Sequence, residues 1–503
     1  MNNSIPLTRV HQTLASIFPK GESLRARVFR GGAWLGTGSV AEQFFRFCRN
    51  VVLVRFLAPE AFGTMVIVLS TSAAIESFTE IGIKEAVVQS PQGRETEYLN
   101  GAWWLALGRA ILLYGLIFAV APWVAGFYHE PRLGVLLRVA MLGTLFTGAM
   151  SAKAFVTLKD MKFKRWAALY HGGGICGILV TVVLAFFVRG VWALAIGFVA
   201  EAAARCVLSY VLCPYMPGLL FKKDLLRGLL VFSSGVFGLP FLNFLWMRAD
   251  IFVLGKMYSP LALGLYSMAV NLAQAPSGFV MNVLGQVMVP TFAEVQRQKA
   301  RTNRILISVT STVAFAGLPL LVFGASFGRS LITVAYGSRY SVMASAFAVA
   351  ASIAMVNILN GLITTTFYAQ GRPQLHRSFA IIRAGLMLVL IYPFVKWFGL
   401  VGAPLAGLAS IGAGYLFQVV RVKSITGLTI AQYWKGLLLP LLFSLAVAPA
   451  AICAESFRSL QQPLPDLVTG LVGCGLAYAL ALAFFVWPSK RLPEPLQREN
   501  FII

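Results

Sequence analysis

Stretches of about 20 mainly apolar residues, the length that crosses a bilayer as a helix, dominate this 503-residue chain. Fourteen such candidates lie near 31–56, 61–83, 99–126, 133–156, 165–188, 190–213, 227–254, 260–290, 304–327, 342–369, 376–397, 400–420, 431–453 and 466–487. Only short polar intervals separate them. Charged residues make up 12% of the chain and its mean hydropathy is +0.77, whereas soluble domains carry roughly 25% charge. A water-soluble core cannot absorb that much apolar surface. The same figures exclude a disordered chain and a disulfide-stapled secreted module. The pattern predicts an all-α polytopic membrane protein of about fourteen transmembrane helices.

The formal charge is +24. In a soluble protein this would suggest nucleic acid; here its distribution fits membrane topology and no nucleic acid is expected. Of the 42 Lys and Arg, 27 fall in loops on the N-terminal side, 8 in the opposite loops and 7 inside spans. Basic residues collect on the cytoplasmic side, so both termini are expected there. The first 30 residues are basic but have no apolar core, so no cleaved signal peptide is expected. The six cysteines lie in or beside apolar stretches without ligand spacing, as small hydrophobes do, and the four histidines form no metal pair. Neither metal nor cofactor is expected.

An internal repeat organises the spans. Residues 56–66, FLAPEAFGTMV, match 257–267, MYSPLALGLYS, pairing Pro59 with Pro260 and Gly63 with Gly264. Six spans separate the copies, and an even number preserves orientation, so the repeat is parallel, with its axis along the membrane normal. The expected organisation is a basic segment at 1–30, a six-helix bundle at 31–213, a linker at 214–226, a second six-helix bundle at 227–424, a terminal helix pair at 425–487 and a tail at 488–503.

Charge inside the spans marks the candidate site. Placing a charged side chain at mid-bilayer costs roughly 2.5–3.5 kcal/mol on insertion scales, which is tolerable facing a wet cavity or a partner. Glu42, Arg46 and Arg49 share one helical face through their i, i+4, i+7 spacing. Glu76 and Glu80 follow in the second span, with Arg109, Arg138, His171, Glu201, Arg205, Arg248, Asp250 and Arg383 further on. Glu42–Arg46 and Glu201–Arg205 also read as neutralising pairs within a helix. The second half offers amides instead, among them Asn271, Gln274, Asn357 and Asn360. Seven intramembrane arginines predict a cavity suited to an anionic, hydrated cargo, since the arginine fork matches phosphate. Arg46, Arg49, Arg109, Arg205 and Arg248 are the expected headgroup contacts, with the four amides as polar lining. There is no GK[ST] loop for ATP, and no constellation for catalysis, so an enzyme is not expected.

The whole chain resembles the polysaccharide exporter branch of the multidrug/oligosaccharidyl-lipid/polysaccharide superfamily, the Wzx-type flippases, and among them the colanic acid exporters. The resemblance rests on the arginine-bearing first span running into Val54-Arg55-Phe56-Leu57-Ala58-Pro59-Glu60-Ala61-Phe62-Gly63, then Phe78-Thr79-Glu80-Ile81-Gly82-Ile83 and Val88-Gln89. It continues in Asp250 to Lys256, Leu263-Gly264-Leu265-Tyr266, Pro290 to Gln296, Tyr336-Gly337 and Ala369-Gln370-Gly371-Arg372. One departure is Ser338, where the family often has an acidic residue. The resemblance implies translocation of an undecaprenyl-diphosphate-linked oligosaccharide across the bacterial inner membrane, for exopolysaccharide, capsule or O-antigen, by rocking of the bundles about a central cavity. It further implies coupling to a proton or sodium gradient, with Glu42, Glu76, Glu80 and Asp250 as candidate carriers, and association with the polysaccharide polymerase and export machinery. Two other readings compete: a cation-coupled drug or lipid exporter of the same superfamily, and a membrane-embedded polymerase or glycosyltransferase. The longest extracytoplasmic loop, about a dozen residues near 454–465, is short for the latter.

Overall fold

The computed structural model describes residues 24–79, 82–219, 239–456 and 463–485. Glu80, most of the N-terminal segment, half of the 214–226 linker and the 488–503 tail lie outside the described residues. Among those described there is helix and no strand. The helices are α1 (Leu24–Phe56), α2 (Pro59–Phe78), α3 (Ile83–Gln89), α4 (Thr96–Tyr128), α5 (Arg132–Ala140), α6 (Leu142–Gly148), α7 (Lys153–Lys159), α8 (Phe163–Phe187), α9 (Val191–Leu212), α10 (Leu239–Met257), α11 (Pro260–Glu294), α12 (Lys299–Tyr336), α13 (Ala344–Ala369), α14 (Pro373–Phe398), α15 (Gly402–Thr426), α16 (Ile430–Ser456) and α17 (Pro463–Phe485).

Every stretch read as a span contains helix. By length and apolarity alone, eight segments among the described residues can cross a membrane, or nine if a bent pair counts as one span. One of them, 373–426, is in fact α14 and α15 packed against each other. The chain reverses between them at Gly399, whose φ of 62° is a left-handed conformation that glycine adopts without strain. The four long helices outside that set are α1, α2, α10 and α11. They are also the polar ones that line the interior, so their composition follows from facing a cavity and each other instead of lipid.

The fourth stretch departs from the single span expected over 133–156. Helix runs through α5 and α6, and α7 is bent from it by 61°. At the break, Ser151 is fully buried. Its backbone N–H donates to Ser209 Oγ at 2.9 Å and its hydroxyl to the Cys213 carbonyl at 2.9 Å. A backbone amide held by α9 in this way is not available to continue an i→i−4 ladder.

Helices α1, α2, α4–α6, α8 and α9 pack with one another, and so do α10–α15; α16 and α17 pack on each other and on α12. The principal core spans both groups, from Leu53, Phe62, Leu113 and Leu136 to Leu263, Tyr266, Ile332 and Met387. Its centre is the crossing of α2 with α11. The sequence repeat meets itself there. A Cβ on Gly63 would fall on the Pro260 carbonyl, and a Cβ on Gly264 on the Pro59 carbonyl. Only glycine lets two helix starts approach this closely. Pro59 and Pro260 occupy first-turn positions where their missing N–H costs nothing. Large apolar side chains such as Trp123, Phe187, Val389 and Leu480 stand exposed around the outside. A soluble monomer does not display so much apolar surface; a bilayer covers it.

Candidate functional site

A cavity of about 430 Å³ lies between α1, α2, α8, α9 and α11. Its wall carries Glu42, Arg46, Arg49, Glu201, Arg205 and Asn271. Glu42, only 7% exposed, is the hub. Its Oε1 accepts from Arg46 Nε at 2.9 Å and Nη2 at 2.7 Å, and its Oε2 lies 2.6 Å from His171 Nδ1. Arg46 Nη2 also donates to Glu201 Oε1 at 2.6 Å. Glu201 in turn holds Arg205 Nη2 at 2.7 Å, and that nitrogen stands 3.7 Å from Glu42. Arg205 closes the chain by donating to the Tyr170 carbonyl at 3.2 Å, with its guanidinium 3.9 Å from the Tyr170 ring centroid. Two carboxylates and two guanidiniums from α1 and α9 thus alternate, with α8 supplying His171. Breaking such a buried pair from one side costs about 3–5 kcal/mol, because it strands the remaining charge.

The network depends on the glycines that α8 places opposite Glu42, Glu201 and Arg205. A Cβ on Gly174 would lie 2.6 Å from Glu42 Oε1, and one on Gly177 would lie 2.9 Å from the Glu201 Cα. A Cβ on Gly173 would strike the Arg205 side chain. The glycine run, which is too short to cradle a nucleotide, instead admits α1 and α9 to the same depth.

Arg49 belongs to the same wall and differs in its company. Among the described residues it has no carboxylate in ion-pair range; it donates to the neutral Asn50 side chain at 3.1 Å. A second cavity of about 330 Å³ adjoins the first, sharing Phe198, Glu201 and Arg205. Here Arg109 donates to the carbonyls of Thr79 at 2.6 Å and Glu76 at 2.9 Å, satisfying the last turn of α2. Glu76 accepts from Thr144 Oγ1 at 2.5 Å.

A third cavity, of about 310 Å³, is enclosed by α10, α11, α13, α14 and α15. Asp250, Gln274 and Asn357 line it. Asp250 accepts from Tyr266 Oη at 2.7 Å and from the Ile251 N–H at 2.8 Å. Helix α11 is the shared wall: Ser267, Met268 and Asn271 face the first cavity, and Tyr266, Val270 and Gln274 the third. Asn360 is buried but lines none of the three, and Arg248, half-buried, also lines none of them.

The sequence therefore brought Glu42, Arg46, Arg49, Arg205 and Asn271 to one cavity, Glu76 and Arg109 to its neighbour, and Asp250, Gln274 and Asn357 to a third. It noted Glu201, His171 and Arg383 as intramembrane charges without assigning them a site. Glu201 and His171 prove to be members of the first network, and Arg383 of the third cavity. The signal for the first two was present: Glu201–Arg205 repeats the Glu42–Arg46 spacing, and His171 leads the glycine face.

The model of the family described as "Polysaccharide biosynthesis protein" matches residues 52–345, more than half of the chain. The chain is 20% identical to the lipopolysaccharide biosynthesis protein WzxC of Escherichia coli (strain K12) over 438 residues, 84% of this chain and 86% of that one. It is 25% identical to the succinoglycan biosynthesis transport protein ExoT of Rhizobium meliloti (strain 1021) over 315 residues, 62% of this chain and 63% of that one. Its fold is similar to that of the lipid II flippase MurJ in an inward closed conformation, with a TM-score of 0.74 at 14% identity, covering 91% of this chain and 99% of that one. These matches bear out the Wzx-type resemblance carried by the motifs. Through the family model that spans its core helices, the chain belongs to the polysaccharide biosynthesis protein family.

Proposed function

We infer that this protein is a flippase, not an enzyme, which moves a polyprenyl-diphosphate-linked oligosaccharide across the bacterial inner membrane for polysaccharide assembly. Two six-helix bundles rock about the central cavity, fourteen spans cross the bilayer, and both termini lie in the cytoplasm. The single observation that carries this reading is the buried chain Glu42–Arg46–Glu201–Arg205, which opens on a cavity beside Arg49. A purely structural ion pair has no need of a cavity. A diphosphate does, and the arginine fork is made for it.

The network also supplies a mechanism. With no cargo, Glu42 and Glu201 neutralise Arg46 and Arg205. An arriving diphosphate binds Arg49 and draws the two network arginines toward itself. Glu42 is then left as a buried carboxylate without its arginine, and the cost of that charge is removed by taking up a proton. His171, in contact with Glu42 Oε2, is placed to deliver it. Cargo binding and proton uptake are thereby linked. The lipid tail remains in the bilayer while the sugars pass through the aqueous cavity. Supporting this reading are the names of the relatives, WzxC and ExoT, and the MurJ-like fold.

The test is a leaflet-resolved assay of lipid-linked sugars in a strain lacking the gene, using an impermeant probe. Complete repeat units are expected on the inner leaflet, cleared by the wild-type gene. Arg46→Ala and Arg49→Ala, each verified as inserted and folded, are expected to clear them at least about tenfold more slowly, from loss of one or more charge-assisted bonds. Wild-type rates in both variants would refute the cavity assignment. Truncated sugars in the deletion strain would point to a glycosyltransferase, and complete units stranded on the outer leaflet to a polymerase.

A further inference from the structure

Arg383 on α14 is an arginine in an apolar span that has no carboxylate partner among the described residues, and it is only 6% exposed. One of its nitrogens, Nη2, donates to Asn243 Oδ1 at 2.6 Å. Its guanidinium lies 4.2 Å from the Trp246 ring centroid and 4.8 Å from that of Phe379. Its Nε is buried with no hydrogen-bond partner. A structural arginine at this depth would be matched, as Arg46 and Arg205 are matched in the other half. This one is instead oriented by two rings and an amide, with donors left over, in the wall of the third cavity.

The rest of that wall is the chemistry of sugar recognition. Asn243, Gln274 and Asn357 offer side-chain amides, Trp246 an aromatic face, and Asp250 a carboxylate steadied by Tyr266 and a backbone N–H. Hydroxyl-rich ligands use such acceptors and donors together. The cavity is about 310 Å³, the small end of the range for ligand pockets.

We propose that the third cavity binds a sugar of the translocated unit that carries a carboxylate, with Arg383 as the residue selecting for it. The argument rests on the flippase reading for the origin of the ligand, not for the site. A carboxylate suits this cavity better than the diphosphate does. Only one guanidinium is present, and Asp250 in the same wall repels a polyvalent anion. A planar carboxylate takes two parallel bonds from the fork, and the ring hydroxyls take the amides. The anionic lipid headgroup and the acidic sugar then occupy separate cavities on the two faces of α11, which selects repeat units that carry both charges.

The experiment is thermal unfolding of the purified full chain in lipid nanodiscs, titrated with D-glucuronate, D-glucose and inorganic phosphate. Glucuronate is expected to stabilise the wild type at concentrations where glucose does not, whereas any effect of phosphate belongs to the first cavity and is expected to be the same in wild type and Arg383→Gln. In Arg383→Gln its half-saturating concentration is expected to rise by about tenfold or more, the loss of a bidentate charge-assisted pair. Should Arg383→Gln fail to fold, Arg383→Lys keeps the charge and loses the fork, and is expected to weaken glucuronate binding while leaving glucose unchanged. Equal effects of glucuronate and glucose on the wild type, a phosphate effect that falls in Arg383→Gln as the glucuronate effect does, or undiminished glucuronate binding in the variants would overturn the proposal. Because the titration involves no translocation, its failure is distinct from failure of the leaflet assay, which would overturn the flippase reading alone.

Discussion

At the scale of single residues, the first cavity turns on what is missing from α8. Gly173, Gly174 and Gly177 place backbone where side chains would otherwise separate α1 from α9. Gly177 is the sharpest case, since its added Cβ would meet the Cα and Cβ of Glu201, which belong to the helix and cannot rotate away. Gly177→Ala is therefore expected to destabilise the protein by about 1–3 kcal/mol through overpacking, read as a lowered melting temperature in detergent. It should also slow transport, because displacing α9 separates Glu201 from Arg46. Gly172→Ala is the control: its added Cβ would meet only the tip of Leu208, at 3.4 Å, and it should melt like the wild type. Glycine acts here through close approach; none of these positions requires a left-handed backbone.

At the scale of elements, the short helices α3 and α7 are clipped together outside the spans. Arg94 donates to Asp160 Oδ1 at 2.8 Å, Lys162 to Oδ2 at 3.0 Å, and Lys159 to the Ser90 carbonyl. Partial burial works to raise the Asp160 pKa, but hydrogen bonds and charge from Lys162 and Arg94 outweigh it and hold the carboxyl below its usual range. A depressed folded-state pKa means stability that is present above the unfolded value, near about 3.9, and lost as pH falls through the folded one. Asp160→Asn is accordingly expected to lower the melting temperature at pH 7 and to match the wild type once the pH is well below about 4. Arg94 is largely exposed, so the effect should be small, about 0.2–1 kcal/mol. A difference that persists undiminished into acid would mean that the clip is not ionic. In the sequence these residues registered only as part of a basic loop; their pairing across 66 positions depends on the fold.

At the scale of the whole molecule, the two halves are joined where the repeat meets itself. Besides the contact of Gly63 and Gly264 with opposing proline carbonyls, Lys256 of α10 donates to the Phe127 carbonyl of α4 at 2.6 Å, and Arg339 stands 3.7 Å from Glu60. All these residues lie at the end bearing the α1–α2 and α10–α11 turns, the end that the proposed orientation puts on the outer side. This end is closed. Alternating access requires it to open and reseal, and resealing depends on the absence of a Cβ at positions 63 and 264. Gly63→Val is expected to leave it unsealed. In a cysteine-free background, Asn271→Cys in the cavity wall should then react with an impermeant thiol reagent applied outside at least about tenfold faster than in the Gly63 parent. Equal reactivity would remove the closure from the mechanism.

The sequence alone determined the all-helical membrane-spanning class and the family, because lipid imposes a length and a polarity on every span and because motifs keep their order along the chain. It also placed Glu42, Arg46 and Arg49 on one face, since helical spacing is local. It read Glu42–Arg46 and Glu201–Arg205 as pairs within a helix, as they are; what it could not determine is which charges are matched between helices. Arg46 reaches Glu201 across 155 positions, Arg109 is spent on carbonyls of α2, Arg248 lines none of the three cavities, and Arg383 stands between two rings without a carboxylate partner among the described residues. Coulomb energy and desolvation depend on separations through space, and only the packing of α1, α8 and α9, and of α10 and α14, set those separations. The tertiary structure thereby separated the ion-paired Arg46 and Arg205 from Arg109, which holds backbone carbonyls, and from Arg49 and Arg383, which have no carboxylate partner among the described residues.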